Sequence, residues 1–263
     1  RTPIDYSGTE GFDFEVDNEF QVAQWGHRGM AHGFMLTEEE MDQNEGEGKI
    51  FDILEEKIQN LDDDLMDRFA TKFYVDGTGT SNKEPQGLAA FISTSNTYAG
   101  ISQTTYTNWA AQSVAGTGYT SDPTGLLREL RLTCAVGQRG GSGQNAIDAF
   151  VMTRAEYLTL LDHAETHQRI VNDAEMAKLG FRDVVLVDGV KALFSTKCTA
   201  STIFALHFPK LRLVKMRKRG EPLFRHYQDW TVGAPKQLKV FATSRYNLIC
   251  LNPRTQGRLT SIT

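Results

Sequence analysis

Cysteine is scarce in this 263-residue chain: Cys134, Cys198 and Cys250 stand far apart, with no Cys-x-x-Cys among them. That spacing excludes a disulfide framework and a cysteine zinc site, and it predicts buried, reduced thiols in a cytosolic setting. No apolar run approaches the eighteen residues of a membrane span, and no secretory signal pattern is present, so neither insertion nor Sec export is expected. Catalytic signatures are missing as well. The Gly/Ser/Thr-rich span 76–87 imitates a phosphate loop, but Asn82 precedes Lys83 and Glu84 follows it, where the Walker pattern demands Gly and then Ser or Thr. The loop 137–143, GQRGGSG, lacks dinucleotide spacing, and there is no Gly-x-Ser-x-Gly elbow. His163 and His167 lie four apart on an expected helix and could share a metal. Glu165 sits between them instead of beside the first, unlike a zincin, and both flank the apolar stripe as ordinary polar residues do. No residue set reads as an active site, and no cofactor is expected.

What the chain has is charge separated along its length. Residues 1–67 carry 19 acidic and 4 basic side chains, a net of −15, whereas residues 68–263 carry 14 and 24, a net of +10. Such runs are commonly solvated surface. The alternative is that acidic and basic parts of different copies face each other and steer self-association.

The longest regular pattern runs from about residue 48 to 75. Ile50, Leu54, Ile58, Leu61, Leu65, Phe69 and Phe73 recur every three or four residues, one stripe of a helix roughly 40 Å long. Glu38, Glu39, Glu40, Asp42, Glu45 and Glu47 crowd its entrance, and Arg68 and Lys72 its last turns, in the sense the helix dipole favours. A single stripe predicts a strut lying across a sheet. Before it, residues 1–11 have no period, and residues 12–37 alternate as strands do. Phe12, Phe14, Val16, Phe20 and Val22 give way to a turn-rich tip, Trp25 to Gly29, and Met30 to Leu36 return as a second strand. A hairpin of this kind is marginal alone. Phe20, Trp25, His27, Arg28 and Phe34 are therefore its candidate contacts with a neighbouring molecule.

From Asp122 the texture becomes compact α/β. Asp122-Pro123 opens a helix, residues 147–152 form a short buried strand, and Thr153 with Glu156 offers a capping box for a helix through Leu158, Leu161 and Ala164. A short helix is expected from Asn172 to Gly180, and Asp188-Gly189 is a hairpin turn. Strands follow at 202–208, 211–216, 238–251 and from 258. The cationic run Lys210, Arg212, Lys215, Arg217, Lys218 and Arg219 could meet phosphate backbones without sequence preference, or another subunit. It lacks the aromatic interleaving of a single-strand binder.

This order of parts resembles the major capsid proteins of tailed bacteriophages, the Hong Kong 97-type fold. Gly87-Leu88, the run Thr97 to Ser102, Asn108-Trp109, residues 148–161 (DAFVMTRAEYLTLL), residues 172–181 (NDAEMAKLGF) and the ending 247–262 (NLICLNPRTQGRLTSI) are similar to that family's segments in the same order. The resemblance implies an α+β fold. Residues 1–11 would be an N-arm and 12–37 an E-loop. A peripheral domain would comprise 38–121 and 231–263 and contain the spine helix, with an axial domain at 122–230. It implies a non-enzymatic shell protein, forming pentamers and hexamers that close an icosahedral head around a phage genome. Assembly would take place in the host cytoplasm, and the protein would reside in the virion. Implied partners are further copies of itself, a scaffolding protein, a portal, cement proteins and packaged DNA touched non-specifically, with no membrane. An encapsulin-like compartment of the same fold is the nearest alternative, and a soluble α/β metalloenzyme using His163 and His167 a more distant one. The family's founding member cross-links its subunits through an E-loop lysine. Residues 12–37 contain none, so a non-covalent shell is expected. The initial Arg1 leads to the further expectation that a maturation protease removes a leading segment.

Overall fold

The computed structural model describes residues 21–42, 53–79, 83–136, 147–166, 170–171, 184–216, 221–231 and 236–263. The expected arm (1–11), the first hairpin strand through Phe20, the loop 138–145, and the expected helix at 172–180 lie outside them.

The longest strand, β12 (Gln237–Cys250), organises the first of two sheets. Its residues alternate buried and exposed, Leu238, Val240, Ala242, Ser244 and Tyr246 facing inward, the period-2 signature of a sheet with one covered face. On one edge lies β1 (Arg28–Thr37), antiparallel from Arg28 opposite Tyr246 to Thr37 opposite Gln237. On the other edge, β10 (Leu211–Lys215) pairs with residues 246–250 and β11 (Arg225–Trp230) with residues 238–243. The expected returning strand of the hairpin is thus corrected. Met30 to Leu36 belong to the body of their own chain, because pairing with β12 places Met30 and Leu36 in its apolar core.

The inner face of this sheet is covered by a helix. A short helix α1 (Glu38–Asp42) follows β1, set by a capping box in which Thr37 N–H donates to Glu40 Oε2 (2.9 Å) and Glu40 N–H to Thr37 Oγ1 (3.3 Å). The long helix α2 (Ile53–Lys72) then crosses the sheet as the expected strut, about 30 Å long in its described part. Leu61 and Leu65 are buried against Met30, Leu36, Val240 and Ala242, with Ile58 and Phe69 half-buried beside them. Each fully buried leucine contributes about 1.5–3 kcal/mol. His32 and His226, both opposite Ala242 in register, reach up to Asp64 (3.4 Å) and Asp62 (2.7 Å) of α2 and tie helix to sheet. The helix stops at Lys72, three residues before its expected end. The chain turns at Asp76-Gly77, where Gly77 has φ +77°, and Leu88 N–H returns to Phe73 O.

The second sheet has seven strands in the order β4-β13-β9-β5-β8-β7-β6. They are β4 (Gln112–Ala115), β5 (Ala149–Met152), β6 (Ile170–Val171), β7 (Val184–Val187), β8 (Val190–Phe194), β9 (Thr202–Leu206) and β13 (Gly257–Thr260). Both its faces are covered. Phe150, Met152, Ile203 and Ala205 point into a core closed by α4 (Pro123–Val136) and α5 (Arg154–Thr166). Val151, Phe204 and Leu206 point into a second core with Phe91, Tyr98 and Ala111. That second core includes α3 (Leu88–Phe91) and the small hairpin of β2 (Thr97–Tyr98) and β3 (Ile101–Ser102). Leu248 and Cys250 from the end of β12 enter the same core, so the two sheets share it.

Several local expectations are met. Asp122 caps α4 by accepting from Gly125 N–H (2.8 Å), which holds its carboxyl below the usual range. Asp188 and Gly189, at φ +51° and +79°, make the tight β7–β8 turn. Others are corrected. Glu156 does not reach back to close a capping box, because it is buried and accepts from Ser201 N–H at 3.0 Å. Leu158 is exposed, and α5 buries Tyr157, Leu160 and Ala164 instead. Strands β4 and β13 join the seven-stranded sheet, whereas β10 and β11 join the other, so sheet pairing crosses the expected borders at 122 and 231.

Candidate interaction surface

His163 is half-buried on α5, His167 lies outside the described residues, and among the described residues no three His, Cys, Asp or Glu are grouped to hold a metal. All three thiols are free and buried, and burial pushes each up to about 12. A nucleophilic or metal-binding cysteine needs the opposite environment.

The chain's unsatisfied surface is the outer face of the four-stranded sheet from Gln237 to Arg245, where among the described residues no helix or loop packs on it; further along, at Asn247, residues 26 and 86 close over that face. Two rows build it. Strand β12 presents Lys239, Phe241 and Arg245 outward, and β11 presents Arg225, Tyr227 and Asp229, the last opposite Lys239. Met35 of β1 is 56% exposed, while Tyr227 and Phe241 are each 38% exposed although their rings stack at 5.1 Å. The Arg225 guanidinium sits 5.2 Å from the Tyr227 ring centroid, a cation–π arrangement. Beside them runs a shallow groove of about 390 Å³ lined by Gly33, Met35, Lys239 and Phe241. The groove exists because Gly33 has no side chain: a Cβ there would meet Phe241 Cβ at 2.7 Å and Val240 O at 2.8 Å. Arg212 of β10 is also exposed, and the pairing places it on the same face, opposite Ile249. An apolar, aromatic centre with a border of three cations, Arg225, Lys239 and Arg245, against one carboxylate, Asp229, is what an interface looks like before its partner arrives.

The expected contact residues divide. Phe20 lies outside the described residues. Trp25 is half-buried in its own chain, its ring edge-on to Tyr98 at 6.3 Å, and Arg28 donates to Gly77 O (2.6 Å) and Glu84 O (2.8 Å). Asn247 Nδ2 holds Gly26 O at 2.9 Å, and Gln24 N–H donates to Ala99 O at 3.0 Å. Residues 24–28 are therefore an anchor on the body. Phe34 packs, half-buried, toward α2, and His27 is exposed. Of the cationic run, Lys210 and Arg212 are exposed, Lys215 donates to Glu221 O, and Arg217, Lys218 and Arg219 lie outside the described residues. Reading that run as a linear patch missed Arg225, Lys239 and Arg245, which strand pairing gathers on one face of the sheet, at the end away from Arg212. The signal was the alternation in 237–246, whose outward set contains Lys239, Phe241 and Arg245.

No family profile matches the chain, and no curated protein matches it by sequence. Solved structures do match. The chain is similar to a subunit of the cyanophage A-1(L) capsid asymmetric unit, with a TM-score of 0.67, 18% identity, and 90% of this chain and 77% of that one covered. It is similar to a subunit of the capsid of a native GTA particle, with a TM-score of 0.57, 14% identity, and 90% and 73% covered. It also matches the SrpI encapsulin of Synechococcus elongatus PCC 7942, with a TM-score of 0.56, 11% identity, and 89% and 73% covered. These likenesses establish the fold: an α+β chain of the Hong Kong 97 type, as the order of its parts implied.

Proposed function

We propose that this chain is the major shell protein of a tailed-phage head, assembling as pentamers and hexamers into an icosahedral particle around a genome. The observation that carries the reading is a capsid fold whose four-stranded sheet keeps an aromatic, cation-bordered face uncovered. A lone protein gains nothing from that face, and a shell subunit uses it. The segment best suited to cover it is residues 12–17 of a neighbouring copy, where Phe12, Phe14 and Val16 alternate with Asp13, Glu15 and Asp17. The apolar residues suit the groove over Gly33, and the carboxylates suit Arg225 and Arg245, Lys239 having Asp229 opposite it in its own chain. A contact of this kind is heterologous and closes into rings. Residues 24–28, anchored on the body, fix the point from which that segment departs.

In this reading the shell is non-covalent, resides in the virion after assembly in the host cytoplasm, and works with scaffolding, portal and cement proteins. The Lys210 to Arg219 cations supply non-specific contact with DNA. Its role is structural. The encapsulin likeness supports a second reading, a compartment that packages an enzyme. Electron microscopy of the protein expressed alone tests the first claim: closed particles are expected, and a monodisperse monomer at high concentration overturns it. Particles purified from their natural source separate the two readings, since DNA inside supports the head and a protein cargo supports the compartment.

A further inference from the structure

Between the last turns of α2, the start of β1 and residues 83–85 lies a second pocket, of about 110 Å³. Its charged lining is Arg68, Lys72, Lys83 and Glu84, beside Gly29 and Ala31. Lys72 and Glu84 pair at 2.5 Å with side chains only 17% and 16% exposed. The pair cancels itself, leaving Arg68 and Lys83, both exposed, as surplus positive charge. The volume is well below the roughly 300 Å³ at which small-molecule sites begin, so it suits one carboxylate-sized group. The negative end of the α2 dipole points here and tempers the field, which favours a singly charged carboxylate over a multiply charged phosphate.

A cluster of carboxylates stands at the other end of the same sheet. The α1 turn carries Glu38, Glu39, Glu40 and Asp42, all exposed. Two cations of its own chain approach it, Lys57 at 3.6 Å from Glu40 and Lys236 at 3.8 Å from Glu38. Of the acidic residues further along α2, Asp62 is engaged by His226, Asp64 by His32 and Asp67 by Lys197. Within one chain the acidic turn cannot reach the basic pocket. The extended strand from Ala31 to Glu38 spans about 24 Å, three times the Debye length of about 8 Å at physiological salt.

We infer that the Arg68–Lys72–Lys83 pocket receives a carboxylate of the Glu38–Asp42 turn of a second copy, head to tail around the shell. This rests on the shell reading and names one of its contacts. Being exposed, the pairs contribute little stability each, and their effect is on the register and rate of association.

The test is charge exchange, read by light scattering and electron microscopy of assembling protein, with circular dichroism confirming the fold of every variant. R68E/K83E and E38K/D42K are each expected to lower the assembly rate about tenfold or more at low salt, and the four-site combination to restore most of it. Rescue by the combination cannot arise from misfolding. The inference is overturned if either double variant assembles like the parent, or if the combination is no better than its halves. It is equally overturned, in favour of phosphate contact, if R68E/K83E particles form normally and only their DNA content falls. Failure of the parent protein to assemble would instead strike the shell reading itself.

Discussion

The seven-stranded sheet is covered on both faces and the four-stranded sheet on one, and their sequences differ accordingly. Strands β5 (AFVM) and β9 (TIFAL) are nearly continuous apolar runs, and each face of them meets its own core. Strand β12 alternates, and its outward residues form the bare surface. A strand with two buried faces belongs to the subunit alone. One with a buried and an exposed aromatic face belongs partly to whatever lies outside. On the shell reading, the seven-stranded sheet answers for folding alone and the four-stranded sheet for association as well.

That division can be broken by mutation. Phe150→Ala removes a fully buried ring from the two-faced sheet and is expected to cost about 3–5 kcal/mol in denaturant unfolding of the dissociated subunit. Gly33→Val forces a side chain against Phe241 and the Val240 carbonyl; about 1–3 kcal/mol is expected, together with loss of particles, because the groove is filled. Phe241→Ala on the bare face should change subunit stability by under about 1 kcal/mol yet cut particle yield sharply. An F241A variant as unstable as F150A would erase the distinction. The smallest effect belongs to Asp188, whose carboxyl is held below the usual range by hydrogen bonds from Arg128, with Arg131 beside it. A depressed value contributes stability that is complete above the ordinary aspartate value of about 4 and is lost as pH falls through the lowered one. Asp188→Asn, which tolerates the same positive φ, should cost about 0.5 kcal/mol at neutral pH and flatten the decline below about pH 4.

Much of this was legible in the sequence, for physical reasons. The α2 stripe, the Asp122 cap, the Asp188-Gly189 turn and the runs of β5 and β9 are local signals that tertiary context did not override. The capping box Thr37-x-x-Glu40 was there to be read as well. What failed was pairing. Nothing local says that Met30 to Leu36 meet Val240 and its neighbours some two hundred residues later, since any alternating strand would serve as well. The candidate surface was hidden for the same reason: Arg225, Lys239 and Arg245 come onto one face only once β11 and β12 are laid side by side. Glu156 fits a capping box in sequence and serves Ser201 in space because burial leaves it one backbone donor to satisfy.

The absence of lysine from residues 12–37 makes a further outcome checkable: boiled particles should run as a single monomer band on denaturing gels, and a ladder of covalent oligomers would refute the non-covalent shell. The most direct measurement is hydroxyl-radical footprinting of dissociated subunits against assembled particles, read at Met35, Tyr227 and Phe241. The account predicts strong oxidation of all three in the subunit and clear protection in the particle. Equal oxidation in both, or a protein that forms no particle in which to compare them, would contradict it.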